Sequence, residues 1–139
     1  MNFTTFSFPT PTLFGAGAVA ALPQRTERLG IRRPLVVTDP GLVGTDAFLS
    51  LAKALGLERK GKDWFVYSGV HPNPVEQDVR EAAQCYRDHG CDGVIALGGG
   101  SPLDAGKAAR LLVKRPGFDF AKFYDEPDWS GLAPCIAIP

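Results

Sequence analysis

Residues 93–112 read GVIALGGGSPLDAGKAARLL and pass without a break from an apolar run, through three glycines, into a pattern of helical period. The apolar run predicts a buried β-strand, and the pattern after the glycines predicts an amphipathic helix. Glycines at such a junction let the backbone turn sharply and approach a ligand without a Cβ in the way. The following helix start presents unpaired N–H groups and a partial positive charge, so the junction predicts an anion site, most naturally for phosphate.

The rest of the chain alternates between strand and helix patterns. Strands are predicted in PLVVTDPG, DWFVYSGV, GVIAL and PCIAIP, and three further helices in GAVAALPQRTERLG, TDAFLSLAKALGL and VEQDVREAAQCYRDHG. This alternation implies right-handed crossovers and an α/β fold: a Rossmann-like, doubly wound, mainly parallel sheet with helices on both faces. At 139 residues, the chain is expected to form a single domain, residues 1–139.

Helix ends and apolar stripes give finer predictions. Thr45 or Asp46 is expected to cap the second helix. Ser101 fits an N-cap followed by Pro102 and then Asp104 at the third helical position, which predicts a capping box. The apolar stripe of the second helix is Phe48, Leu49, Ala52 and Leu55; that of the third is Val75, Val79, Ala82, Ala83 and Tyr86.

Ligands of such sheets bind beyond the carboxyl ends of the strands, where the glycines and Asp39 both fall. Asp39 either binds a ribose hydroxyl pair or forms an Asx-type turn with Pro40 and Gly41. A second candidate fingerprint, G-x-G-x-x-A from Gly15 to Ala20, follows a segment with two prolines, which disfavours the central strand it would need. The Walker pattern is not matched around Lys107.

Composition excludes several classes of function. Lysine plus arginine equals aspartate plus glutamate at 15 each, with no charged block to indicate a nucleic-acid or anionic-membrane partner. No segment has the roughly 18 to 20 apolar residues of a membrane span, and no secretory leader pattern is present. The three cysteines form neither a disulfide framework nor a zinc knuckle, so reduced thiols of a soluble, cytoplasmic protein are expected.

The two histidines do not indicate a metal site. His89 is expected to cap the end of a helix, and His71 precedes a proline-rich turn. A metal centre for hydride chemistry needs several imidazole or carboxylate ligands that converge on one point. We therefore assign no metal ligands and no catalytic residues from the sequence.

Four ordered motifs resemble the N-terminal half of the iron-containing (group III) alcohol dehydrogenases. They are F-x-F-P-T-x-x-x-F-G-x-G-A at Phe6–Ala18, V-T-D-P-G at Val37–Gly41, P-N-P at Pro72–Pro74 and G-G-G-S-P-x-D-x-x-K at Gly98–Lys107. The resemblance implies an NAD(P)-binding domain whose glycine loop holds the pyrophosphate. The cofactor-binding residues it implies are Asp39, Asn73, Gly98, Gly99, Gly100, Ser101 and Asp104, with Lys107 in support.

The carboxylate of Asp39 would repel a 2′-phosphate, so NAD is expected in preference to NADP. Members of the family continue into a helical domain that carries the metal, iron or zinc, and much of the pocket for a small alcohol or aldehyde. This chain is thus expected to be truncated and to bind cofactor without turnover alone. The family often has alanine where this chain has Gly106, a difference of about 1 kcal/mol in a helix interior.

Three other interpretations stay open. The chain could be a stand-alone nucleotide-binding or regulatory module, because a phosphate loop and Asp39 suffice for binding. It could also be a relative of glycerol dehydrogenase, which shares variants of the glycine motif. Finally, the alternation of Phe3, Phe6 and Phe8 with threonine and serine predicts an edge strand that could pair two copies into a homodimer.

Overall fold

The structure is a computed structural model that describes residues 10–125 and 130–139. Strands and helices alternate along it as the sequence predicts. The strands are β1 (Pro34–Val37), β2 (Phe65–Tyr67), β3 (Gly93–Leu97) and β4 (Cys135–Ile138). The α-helices are α1 (Leu22–Arg28), α2 (Asp46–Leu55), α3 (Glu76–Asp88) and α4 (Gly100–Lys114), and a 3₁₀ turn at Ala18–Ala21 leads into α1.

The described strands form one parallel sheet in the order β2-β1-β3-β4. The chain runs outward from β1 to β2 and then crosses to the other side of β1 to add β3 and β4. The order of strands therefore reverses between β1 and β3, and in open α/β sheets ligands bind at the carboxyl ends of the strands at such a point. The predicted α/β, Rossmann-like fold is confirmed, and β1 and β3 bring their following loops to this crevice.

The two central strands, β1 and β3, are buried along their whole length, which is why they read as unbroken apolar runs. One face of the sheet packs against α3 and α4, where Leu35 and Val94 meet Ala82 and Ala109. The other face packs against α1 and α2, where Ile95 lies among residues such as Leu51. Helices thus cover both faces, as predicted.

The helix details confirm most of the predicted pattern and correct two residues. Thr45 caps α2, since its Oγ1 accepts the Phe48 N–H at 3.3 Å. Leu49, predicted in the apolar stripe of α2, is 40% exposed, because it lies about one-third of a turn away from the buried face. Leu51, which was not predicted, belongs to that buried face. Val75 is 50% exposed for a different reason: it is the residue before α3 and not part of the helix.

Gly106 lies where α4 crosses the sheet. A Cβ at this position would be 2.9 Å from the Ala96 Cβ and 3.3 Å from a methyl of Val94. Real Cβ atoms do not approach a neighbour that is fixed to the backbone so closely, so the glycine allows α4 to pack directly on β3. This contact gives a structural reason for a residue that would otherwise weaken a helix interior.

We expect Gly106→Ala to lower the free energy of unfolding by about 1–3 kcal/mol, because overpacking outweighs the gain in helix propensity. Urea titration measures the change. In an Ala96→Gly background the facing methyl is gone, and the same substitution is then expected to stabilise. A gain of about 1 kcal/mol in the unaltered background, the value for an ordinary helix glycine, would contradict the packing argument.

Two sequence-based expectations lie outside the described residues. The edge strand of Phe3, Phe6 and Phe8, with the homodimer built on it, belongs to residues 1–9. The first part of the Phe6–Ala18 motif lies there as well. The second candidate fingerprint, Gly15–Ala20, is described, and the described part of the segment before it, residues 10–14, forms no strand, in line with the prolines that disfavour one.

Candidate functional site

Gly98 forms the turn that ends β3. Its φ of +133° is a conformation that side chains rarely adopt, and its N–H donates to the Ile138 carbonyl at 3.0 Å. A Cβ on Gly98 would lie 2.7 Å from Leu42 Cδ1 and 2.9 Å from Pro102 Cγ. Both the backbone and the packing therefore require glycine here, for reasons internal to the fold.

Gly99 and Gly100 differ from Gly98 in both respects. Gly99 has a φ of −72°, Gly100 is the first residue of α4, and a Cβ on either would meet nothing within 4 Å. Both are exposed. Nothing in the described fold requires glycine at these two positions, so what their lack of side chains provides is open space above the start of the helix.

The backbone beneath that space suits an anion. The first N–H groups of an α-helix have no intrahelical acceptor. At the start of α4 these are the N–H groups of Gly100 and Ser101, because the next residue, Pro102, has no N–H. The next amide, that of Leu103, donates to the Gly99 carbonyl at 3.3 Å. The helix dipole adds a partial positive charge at the same point. We call the space above Gly99 and Gly100, with the free amides of Gly100 and Ser101, the cradle; its donors and partial positive charge suit a phosphate or pyrophosphate.

The predicted capping box at Ser101 is wrong. The helix begins at Gly100 with Gly99 as its N-cap and without a side-chain cap, because the sharp turn at Gly98 starts the helix two residues earlier than the pattern suggests. The Ser101 hydroxyl instead donates to the carbonyl of Pro72. Asp104 is consequently not the closing residue of a cap; it is exposed.

The bond from Ser101 brings the Pro72–Pro74 turn beside the glycine turn. Asn73 lies in this turn and is exposed. An apolar groove of about 240 Å³ runs between the starts of α3 and α4 from the same turn, and Asp104 lines it. The other residues of the groove are Pro74, Val75, Glu76, Val79, Ala105, Ala108 and Phe120.

Asp39 follows β1 at the neighbouring position in the sheet. Its Oδ1 accepts the Leu42 N–H at 3.0 Å, so the turn predicted as one of its two roles is present. Leu42 in turn covers Gly98, and the buried Thr38 hydroxyl donates to the Leu97 carbonyl at 2.9 Å. These contacts fix the ends of β1 and β3 together and leave Asp39 half-exposed at the crevice.

Asp78 is a residue of this region that the sequence analysis did not single out. It is 1% exposed, and its carboxylate accepts the N–H groups of His71 at 3.1 Å and Val75 at 3.2 Å and meets His71 Nδ1 at 2.7 Å. Burial by itself raises the pKa of Asp78, but the hydrogen bonds from His71 and Val75 outweigh it and hold the pKa below its usual value. An acidic side chain at the third helical position, reaching back to the N-cap amide, was the available signal.

The other His and Cys side chains that the structure describes do not gather into a metal site. His89 ends α3 as predicted, with Nδ1 2.9 Å from the Cys85 carbonyl. Cys85, Cys91 and Cys135 are free, and burial raises the pKa of all three, that of Cys91 to about 12. Across residues 10–125 and 130–139, no three His, Cys, Asp or Glu side chains gather into a set that could hold a metal ion. Nor is any helix in this part of the chain long and apolar enough to span a membrane.

A parallel α/β sheet with a glycine turn and a helix start at its switch point defines the class of Rossmann-like α/β domains. Comparison with known proteins gives the family. The family described as iron-containing alcohol dehydrogenase matches residues 9–139. The chain belongs to this family, as the four motifs indicated.

Relatives and solved structures agree with this assignment. The chain is 42% identical over 101 residues to 4-hydroxybutyrate dehydrogenase of Cupriavidus necator, covering 73% of this chain and 25% of that enzyme. It superimposes on a crystal structure of 1,3-propanediol oxidoreductase with a TM-score of 0.80 at 30% identity, covering 96% of this chain and 35% of that one. Sulfoacetaldehyde reductase of Bifidobacterium kashiwanohense, solved with NAD⁺, shares the fold with a TM-score of 0.79 at 24% identity, covering 100% of this chain and 36% of that one. The chain thus spans about a quarter to a third of their lengths.

Proposed function

We propose that residues 1–139 form the NAD(H)-binding domain of an alcohol dehydrogenase, with the pyrophosphate of the dinucleotide above Gly99 and Gly100. The observation that carries this proposal is the open space over these two glycines, directly in front of the free amides at the start of α4. The family of the chain and the NAD⁺ bound by sulfoacetaldehyde reductase support the same choice of ligand.

The other predicted cofactor residues take their roles from their places around the cradle. Asp39 stands at the end of the adjacent strand, where a carboxylate accepts hydrogen bonds from a ribose hydroxyl pair. Asn73 lies in the turn that Ser101 holds beside the glycines and contacts the cofactor from that side. Asp104 faces the groove next to this turn and contributes to its polar rim.

When bound, NAD⁺ would supply a hydride acceptor for the oxidation of an alcohol, and NADH a hydride donor for the reduction of an aldehyde. The described residues bind and orient the cofactor. The described residues do not offer a set of metal ligands. Other residues would therefore hold the iron or zinc of this family and form most of the pocket for a small alcohol or aldehyde. For the 139-residue chain by itself we therefore expect binding without turnover.

Calorimetric titration of the purified chain with NAD tests the proposal, and saturable one-to-one binding is the expected result. Titration with ADP separates the alternatives. A dinucleotide domain should bind NAD more tightly than ADP, because both ligands carry the adenosine diphosphate unit but only NAD adds the contacts of the nicotinamide riboside. A regulatory module for adenine nucleotides would bind ADP equally well or better.

Asp39 gives a prediction about cofactor choice. Asp39→Asn keeps the oxygen that accepts the Leu42 N–H but removes the negative charge, so the turn should persist while the repulsion of a 2′-phosphate disappears. We expect the ratio of NADP to NAD affinity to rise about tenfold, equivalent to about 1.4 kcal/mol. The measurement is the pair of dissociation constants for the two cofactors.

A matched variant removes a carboxylate elsewhere. Asp88→Asn, at the far end of α3, eliminates the same charge without touching the crevice. It should leave the ratio of the two affinities unchanged. If both variants alter the ratio to the same extent, net charge rather than Asp39 sets the preference.

A further inference from the structure

The Asp78 carboxylate is a buried anion whose three described hydrogen-bond contacts are all with one short turn. The backbone N–H groups of His71 and Val75 point to its Oδ2, and His71 Nδ1 points to its Oδ1. Since an ionised carboxylate only accepts hydrogen bonds, Nδ1 carries a proton when it makes this contact. Burial of an ion is costly unless such partners are present, so this turn and this carboxylate depend on each other.

Apolar burial does not hold the same turn. Residues 71–75 are all exposed, with the His71 side chain at 67%, and so no side chain of the turn reaches the core. Asp78, in contrast, is fixed in the first turn of α3, which packs on the sheet and on α4. The carboxylate is therefore the rigid point to which the exposed turn is attached.

The turn continues this connection to the glycine motif. The carbonyl of Pro72, the residue after His71, accepts the hydroxyl of Ser101 in the first turn of α4. The hydrogen bonds thus run from Asp78 through His71 and Pro72 to Ser101, next to the two glycines of the cradle.

We propose that Asp78 is a positioning residue of the dinucleotide site, which acts by holding the His71–Val75 turn against the first turn of α4. It touches neither the cofactor nor the reacting atoms. Its effect is to fix Asn73 beside the cradle and to keep the Gly100 and Ser101 amides, next to Gly99, in their binding arrangement. This inference rests on the proposed function for its ligand, but the arrangement of the loop can be measured without any ligand.

The experiment compares Asp78→Asn with Glu81→Gln in the 139-residue chain. Glu81 lies three residues further along α3 and its carboxylate is also hydrogen bonded, to Tyr67 and Gln77, but it makes no described hydrogen bond to the turn. Two-dimensional ¹H–¹⁵N spectra of the ligand-free proteins report on the amides of Gly99 and Gly100, and calorimetry gives the dissociation constant for NAD. Urea unfolding of each variant separates any general loss of stability.

We expect Asp78→Asn to shift the Gly99 and Gly100 signals and to weaken NAD binding about tenfold, whereas Glu81→Gln changes neither. In a Ser101→Ala background the connection is already broken, so Asp78→Asn should have no further effect on either measurement. A purely structural role would instead lower stability equally in both backgrounds without this coupling. If Asp78→Asn does not fold, His71→Ala removes the ring contact alone and should shift the same signals to a smaller extent.

Unshifted Gly99 and Gly100 signals in a folded Asp78→Asn protein would overturn the positioning role. If the unaltered chain binds no NAD, the proposed function is refuted. Shifted Gly99 and Gly100 signals in Asp78→Asn would then still support the hydrogen-bonded connection. Additive effects of Asp78→Asn and Ser101→Ala would show that the connection does not run through the Pro72 carbonyl, and would also overturn the proposal.

Discussion

Gly98→Ala is expected to lower the free energy of unfolding by about 2–5 kcal/mol, as the sum of backbone strain at positive φ and overpacking. Alanine would have to adopt a backbone φ of +133°. Its methyl group would lie 2.7 Å from Leu42 Cδ1 and 2.9 Å from Pro102 Cγ. Pro102 is rigid and buried, so it cannot move away cheaply. Urea or guanidinium unfolding followed by circular dichroism measures the loss.

The neighbouring glycine supplies the control. Gly99→Ala places the same methyl group at a φ of −72° with nothing within 4 Å, so its cost should stay below about 1 kcal/mol, the difference between glycine and alanine at an N-cap. Equal losses at the two positions would mean that the fold requires both glycines, and would contradict the assignment of the fold requirement to Gly98 alone.

The second large effect is on binding. Gly99→Asp is expected to raise the dissociation constant for NAD at least 100-fold, equivalent to about 2.7 kcal/mol or more, because the carboxylate occupies the cradle and repels the pyrophosphate. Aspartate is also a favourable N-cap residue, because its carboxylate can accept a hydrogen bond from the free N–H of Ser101. The free energy of unfolding should therefore stay within about 0.5 kcal/mol of the unaltered chain, or rise slightly.

Gly117→Asp is the matched variant for this prediction. Gly117 is exposed, a Cβ there would meet nothing within 4 Å, and it lies beyond the far end of α4. The substitution adds the same charge to the same protein and should leave the affinity for NAD unchanged. Retained binding in Gly99→Asp, or an equal loss in both variants, would remove the pyrophosphate from the proposed position.

Local pattern was enough to predict the elements of the fold. β1 and β3 were recognisable because strands buried on both faces are continuous apolar runs, and α3 because its apolar residues recur at helical spacing. The parallel arrangement followed from the alternation of the two. The place of the crevice then followed from the fold, and Asp39 and the glycines could be assigned to it.

What escaped prediction depends on contacts between distant parts of the chain. Ser101 was expected to cap its own helix, whereas its hydroxyl is bonded to Pro72, 29 residues away. Gly98 and Gly99 cannot be distinguished in the sequence, since both are glycine. Their backbone angles and neighbours show that the fold requires glycine at Gly98, whereas the missing side chain of Gly99 leaves open space. For Asp78, its place at the third helical position was a local signal for a bond to the N-cap amide, but nothing local reveals that His71 also folds over its carboxylate.

We propose the open space over Gly99 and Gly100 as the binding place of the dinucleotide. A ¹H–¹⁵N titration of the 139-residue chain with NAD locates the ligand directly, with Gly117 as an internal reference. We expect saturable shifts of the Gly99, Gly100 and Ser101 amide signals and none at Gly117. Saturable binding that leaves these three signals in place, or no binding by a chain whose spectrum shows it to be folded, would contradict this proposal.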